Sequence, residues 1–270
     1  TFEKDLPNFI EIANEYMFRY EWGTYDILVL PPAFPFGGME NPNLTFATPA
    51  LLHCKDVDGK IIADTSQVNV AAHELAHSWT GNLVTNANWN NFWLNEGFTV
   101  YFERKIILKA SGDKGYEIRK LASSVSYLQL KKNILDQIDL GLKKYTKLNI
   151  DIQRNSPDDS FGDVPYEKGF NILYYLEQLI GEKNFDIIFK EYINTFKYKS
   201  VVYTDFTNLF EKKINELYKD NTKERDRILS NVDWDNWLNE EGLPTWENNF
   251  STPLVKDVNA AAASLFKNII

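Results

Sequence analysis

The five residues His73-Glu74-Leu75-Ala76-His77 constrain this chain more than any other stretch. On an α-helix, residues four apart lie about 40° from each other around the axis, so both imidazoles leave one face and can reach one point. That pairing suits a zinc ion. The chain holds only three histidines, and two of them stand here, so the pattern is hard to attribute to a surface helix with unrelated histidines. Glu74 follows the first imidazole directly. A carboxylate there can face a water activated by the ion and accept its proton as general base.

A catalytic zinc site takes three protein ligands and keeps one position open. The third candidate is Glu96, with eighteen residues between it and His77, in Trp93-Leu94-Asn95-Glu96-Gly97. Two antiparallel helices joined by an irregular connection would bring Glu96 beside His73 and His77. Taken alone, Glu96 reads as a helix-start carboxylate favoured by the dipole. Glu103, two turns further along the same face, reads either as support for a ligand or as a solvated charge.

Two further signals are weaker by themselves. Gly37-Gly38-Met39-Glu40-Asn41 combines a backbone that can run close to an extended peptide with a fixed carboxylate at Glu40. In a closed cleft such a carboxylate would hold the compact cation of a peptide's amino terminus. An ordinary loop after Pro31 to Pro35 would look the same. Tyr166, in Val164-Pro165-Tyr166-Glu167-Lys168-Gly169, offers a neutral phenol that could stabilise an oxyanion, but spacing alone does not single it out among fourteen tyrosines.

The pattern around these residues is α+β and mostly helical. Apolar spacing predicts a helix over Phe9 to Tyr20, a buried strand over Tyr25 to Leu30 and a second strand over Leu44 to Leu51. Asp58-Gly59 marks a hairpin or inserted loop within Cys54 to Asp64. Helices follow over Val68 to Thr80, Phe92 to Ala110, Gly115 to Asn133, Tyr166 to Ile180, Phe185 to Tyr198, Thr204 to Tyr218 and Arg225 to Leu238. Asn155 to Asp159 is a loop, and Gly181 is a natural helix stop. The expected division is a catalytic domain over 1–244, then a linker and the start of a further helical region over 245–270.

The formal charge is −9 with no block of basic residues, which argues against a nucleic-acid partner. Aromatic residues make up 14%, which suits either large Phe and Tyr cores or an aromatic-lined cleft. Cys54 is the single cysteine, so no internal disulfide forms; this suits the cytoplasm, with an inert thiol expected. No apolar run reaches the roughly 20 residues of a membrane helix. The chain starts at Thr1 without a signal peptide and reads as an internal piece of something longer.

At these residues the chain resembles the M1 family of zinc aminopeptidases, the gluzincins. That family's pattern is a Gly-x-Met-Glu-Asn loop, then His-Glu-x-x-His, eighteen residues, and Glu; all of it stands here in order. Trp22-Gly23, Leu28 to Pro32, His77 to Asn86, Phe92 to Gly97 and Pro165 to Phe170 resemble the branch holding leukotriene A4 hydrolase and fungal aminopeptidases. The resemblance implies a thermolysin-like catalytic domain with one zinc per chain on His73, His77 and Glu96. It implies Glu74 as general base and Tyr166 as transition-state stabiliser. Gly37, Gly38, Met39 and Glu40 would bind the substrate, with Glu40 on its amine. It also implies a β-rich domain before this region and a helical domain after it, the latter supplying basic residues that recognise a substrate carboxylate. Two departures stand out. Phe161 takes the place of a second tyrosine, and the aspartate used in epoxide opening falls on Asp158, with Asp159 and Asp163 close by. The Cys54 to Asp64 stretch is also longer than in that branch.

These readings lead to a zinc aminopeptidase acting on peptides with a free N-terminus. The alternatives are an enzyme that also opens a fatty-acid epoxide, a zincin endopeptidase, and a scaffold of the same fold without turnover.

Overall fold

The computed structural model describes residues 2–52, 54–58, 60–63, 67–152 and 156–267. Helix α1 (Phe2–Tyr16) leads into a three-stranded mixed sheet of β1 (Asp26–Val29), β2 (Gly38–Met39) and β3 (Leu44–Ala47). The strand order is β1-β3-β2. β1 runs parallel to β3 with Ile27 opposite Thr45, and β2 runs antiparallel to it with Met39 opposite Phe46. The strand expected to be buried is an exposed sheet edge: Leu28 and Val29 face outward. The β4 (Cys54–Val57) and β5 (Lys60–Ala63) pair is an antiparallel hairpin, as Asp58-Gly59 suggested, with Asp58 at φ 54°. Gly59, Asp64, Asn155 and the thiol of Cys54 lie outside the described residues.

Helix α2 (Val68–Ala76) carries the His motif, and β6 (Val84–Asn86) follows its terminal turn. The centre of the molecule is α3 (Trp93–Ala110). It is buried on nearly every side, because its sequence is apolar around most of its circumference in the first three turns. Trp93, Phe98, Tyr101 and Phe102 have no accessible surface. Around it pack α1, α2, α4 (Gly115–Asp139) and α5 (Gly169–Ile180). Phe98 alone meets Tyr192 and Phe206 at ring-centroid distances of 4.8 and 4.9 Å. Those rings sit on α6 (Glu182–Phe196) and α7 (Tyr203–Leu217).

Between α6 and α7, β7 (Lys199–Val201) pairs in parallel with β6. The helix expected over Arg225 to Leu238 is broken into α8 (Thr222–Asn231) and α9 (Trp234–Leu238). The break is chemical: the Asp233 carboxylate accepts from the Asn236 N–H and starts a new helix. Beyond it, Asn248 donates to the Asn171 carbonyl at 2.9 Å, and Phe250 packs against Tyr174. α10 (Pro253–Lys267) then lies against α4. The architecture is α+β and mostly helical, as expected. Among the described residues no helix is long and apolar enough to cross a membrane.

Candidate active site

Three local folding events bring the chemistry together. α2 ends at His77, and the chain reverses through Gly81, whose φ of +115° is open to glycine but strained for other residues. α3 then starts at Trp93, which puts Glu96 in its first turn, facing back toward α2. Finally, residues Val164–Lys168 form a π-helical turn that opens α5 and carries Tyr166. Such turns insert an extra residue and re-aim side chains.

His73 Nε2 and His77 Nε2 lie 3.1 Å apart. Glu96 Oε2 is 3.4 Å from the first and 3.3 Å from the second. Ligands placed tetrahedrally about 2.0–2.1 Å from a zinc ion are separated by about 3.3–3.4 Å. The observed triangle has that size. Its electronic character fits as well. His77 Nδ1 lies 2.9 Å from the Thr80 carbonyl, and His73 Nδ1 lies 3.1 Å from Glu103 Oε2. Those acceptors call for N–H at both Nδ1 positions, which leaves a lone pair on each Nε2. Two lone pairs and a buried carboxylate oxygen without a hydrogen-bond partner therefore converge on one point. That set suits a divalent cation of borderline softness.

The surrounding carboxylates favour a positive charge at the same point, which a proton supplies on the rings or a metal ion supplies in its place. Burial opposes the charged form of the histidines, but Glu103 and Glu96 raise His73 well above the ordinary imidazole value. Burial is likewise outweighed at His77, which Glu96 and Glu40 lift to about 9. Burial also opposes charge on Glu96, yet His77 and His73 hold it down to about 2. Glu74 goes the other way: burial pushes it up to about 7 against the pull of both histidines. Burial, then the carboxylates of Glu96, Glu40 and Glu74, raise Tyr166, which keeps its proton.

These groups line one cavity of about 1000 Å³. Gly37, Gly38, Met39 and Glu40 all contribute to its wall, with β2 at the edge of its sheet. Asn82 ties the Glu40 carbonyl at 2.7 Å, and Glu40 Oε1 stands 3.9 Å from His77 Nδ1. The missing side chain at Gly38 matters: a Cβ there would fall 2.3 Å from Glu74 Oε1. Glu74 is 6% exposed, and its Oε2 has no hydrogen-bond partner. The Tyr166 ring stacks on His73 at 6.0 Å. Asp158 and Phe161 line the same cavity, where Phe161 meets Phe92 at 5.3 Å and Phe36 at 6.5 Å. The aromatic content thus serves both a core and a cleft.

Some contributors escaped the sequence reading. Thr99 Oγ1 donates to the Thr80 carbonyl at 2.8 Å and lies 3.1 Å from His77 Nδ1. Its one signal was a helical spacing of three from Glu96. Arg104 Nη2 donates to Glu167 Oε1 at 2.6 Å on the cavity wall. Both residues directly follow residues the sequence had singled out, Glu103 and Tyr166. Glu103, left open between two readings, is the partner of His73 and also accepts from Asn69 at 3.4 Å.

Comparison with known proteins points one way. The Peptidase family M1 domain matches residues 1–237. Leucine aminopeptidase 2 of Candida albicans is 46% identical over 254 residues, covering 90% of this chain and 38% of that protein. Leucine aminopeptidase 2-2 of Meyerozyma guilliermondii is 42% identical over 270 residues, 95% of this chain and 40% of that protein. Among solved structures, yeast LTA4 hydrolase in complex with bestatin superposes with a TM-score of 0.82 at 42% identity. It covers 97% of this chain and 38% of that one. The chain spans about 40% of the length of the curated relatives it matches.

Proposed function

The chain belongs to peptidase family M1, and from that premise we propose that it is the catalytic region of a zinc aminopeptidase acting on peptides with a free N-terminus. The observation that carries the proposal is the convergence of two Nε2 atoms and Glu96 Oε2 within 4.8 Å, beside an edge strand that Glu40 directly follows. His73, His77 and Glu96 are the proposed ligands of one zinc ion per chain. When bound, zinc supplies Lewis acidity, which makes water a usable nucleophile near neutral pH.

The chain's own residues do the rest. The free edge at Gly37 to Met39 offers main-chain hydrogen bonds to an extended peptide. Glu40 pairs with its α-ammonium and so counts one residue from the end. Glu74, deep in the cleft and short of one hydrogen bond, accepts a proton from the attacking water and passes it to the leaving amine. The Tyr166 phenol donates to the scissile carbonyl oxygen as charge develops there. A cytoplasmic location belongs to the same reading, supported by the single cysteine. So does a division into a catalytic domain over 1–244 and a segment 245–270 leading to a further helical region, supported by the greater length of the relatives.

Glu40→Ala tests the proposal. A lost charged hydrogen bond of about 1.5–3 kcal/mol should lower kcat/KM on aminoacyl reporters by roughly 10- to 100-fold. N-acetylated peptides should resist the wild type; equal cleavage of acetylated and free peptides would refute the assignment.

A second reading is an added epoxide hydrolase activity. It is favoured by Asp158 on the cavity wall and by relatives such as the leukotriene A-4 hydrolase homolog of Botryotinia fuckeliana, 42% identical over 262 residues. Phe161 speaks against it, since it puts an apolar ring without a hydrogen-bond donor on the same wall. Mass spectrometry of a fatty-acid epoxide incubated with the enzyme distinguishes the two; absence of an enzymatic diol removes the second.

A further inference from the structure

The backbone contact between Gly97 and Gly169 is closer than any side chain would allow. A Cβ built on Gly97 would lie 2.7 Å from the Gly169 Cα and 3.1 Å from the Pro165 carbonyl oxygen. One built on Gly169 would lie 2.8 Å from the Gly97 Cα. Carbon atoms in ordinary contact keep about 3.5–4.0 Å. A methyl on either side would therefore drive α3 and the π-helical turn apart by roughly 1 Å.

Both glycines stand next to the chemistry. Gly97 follows Glu96 directly. Gly169 donates its N–H to the Tyr166 carbonyl at the end of the π-helical turn. The same end of the turn is tied by Lys168, which is fully buried and forms no ion pair with a carboxylate among the described residues. Its ammonium donates instead to three backbone carbonyls, those of Thr146 at 2.9 Å, Gly242 at 3.0 Å and Glu240 at 3.2 Å. An ammonium has three N–H donors, so this set satisfies it completely. Thr146 in turn accepts from the Gly242 N–H at 2.7 Å, which joins the two anchoring loops. Pro165 contributes a fixed φ and no donor within the turn.

We infer that Gly97, Gly169 and Lys168 are positioning residues that hold the Tyr166 hydroxyl at the reacting carbonyl. The inference rests on the catalytic reading of Tyr166 given above. The glycine pair lets the turn press against the first turn of α3, where Glu96 sits. Lys168 keeps it from sliding along that helix. Beside the ring contacts of Tyr166 with His73 and Phe92, the distance between the phenol and the ligand triangle is thus set by backbone contact and by one buried cation. Catalytic donors need such precision, since a misplacement of about 1 Å can cost on the order of 10²-fold in rate.

A double-mutant cycle on the zinc-loaded enzyme tests this. Gly169→Ala should lower kcat on an aminoacyl reporter by on the order of 10²-fold, with KM and zinc content per chain unchanged. Calorimetry with a phosphinic dipeptide analogue, which mimics the tetrahedral transition state, should show a matching loss of affinity. In a Tyr166→Phe background the same substitution should cost less than about 3-fold, because the group it displaces is already gone. Additive losses, or a fall in zinc content that accounts for the loss in rate, overturn the inference. If Gly169→Ala fails to fold, Lys168→Met is put through the same cycle with the same expectations. Full activity of Tyr166→Phe alone removes the role of Tyr166 and this inference with it; a damaged Tyr166→Phe with additive partners removes the positioning alone.

Discussion

His73 and His77 present the same nitrogen to the same point because each has its other nitrogen engaged, one with a carboxylate and one with a carbonyl. The two supports differ in strength. Glu103 offers a carboxylate oxygen 3.1 Å from the ring at 12% side-chain exposure, so it both orients the ring and raises its basicity. Thr99 adds a hydroxyl to a ring already held by the Thr80 carbonyl. Glu103→Gln should therefore weaken zinc binding by about 10- to 100-fold, read by competition with a chelating dye. Thr99→Val, close in shape, should weaken it less than Glu103→Gln does. The reverse order would mean that the carbonyl alone does not hold His77. Glu74→Gln probes a different role: zinc content should stay while kcat falls by about 10²- to 10⁴-fold.

At the scale of elements, the ligand triangle depends on how α2 hands over to α3. Gly81 makes the reversal at φ +115°, and a Cβ on it would fall 2.8 Å from His77 Nδ1. Gly81→Ala should thus cost about 1–3 kcal/mol in backbone strain, lower Tm by several degrees, and reduce zinc affinity in the same variant. A loss of Tm with unchanged zinc affinity would separate the turn from the ligand. This handover was legible in the sequence, since two imidazoles four apart and a carboxylate opening the next helix are short-range patterns. Elements set by distant partners were not. The β6–β7 pairing joins Thr85 to Ser200 across α3, α4, α5 and α6. The π-helical turn at Val164–Lys168 looks, residue by residue, like a loop leading into a helix. The split between α8 and α9 was hidden because Ile228, Leu229, Val232 and Trp237 keep an apolar rhythm through it, and only the Asp233 cap breaks the chain's course. Thr99 was missed for a related reason: its partner is a main-chain carbonyl, which no sequence pattern displays.

On the scale of the whole molecule, the helices around α3 are pinned by a charge cluster on the far side from the proposed zinc. Lys105 of α3 is fully buried and lies 3.2 Å from Glu177, 2.6 Å from Glu182 and 3.3 Å from Asp186. Arg119 of α4 grips both oxygens of Glu177, at 2.9 and 2.8 Å, and the Tyr101 hydroxyl donates to the same carboxylate. One carboxylate thus links α3, α4 and α5. Burial alone would raise the Glu177 pKa, but Arg119 and then Lys105 hold it down to about 2. A carboxylate lowered on folding contributes stability that is complete above its unfolded value of about 4.5 and drains away as pH falls toward about 2. Glu177→Gln leaves the buried Arg119 without its ion-pair partner, while Lys105 keeps Glu182 and Asp186, a change that costs about 3–5 kcal/mol. At pH 7 the variant should therefore melt well below the wild type. The gap between the two should narrow as the pH is lowered from 4.5, because the wild type is then losing the charge the variant never had. A gap that stays constant from pH 7 to pH 3 would show that Glu177 is not held ionised by its neighbours, and that the helices are locked by packing around α3 instead.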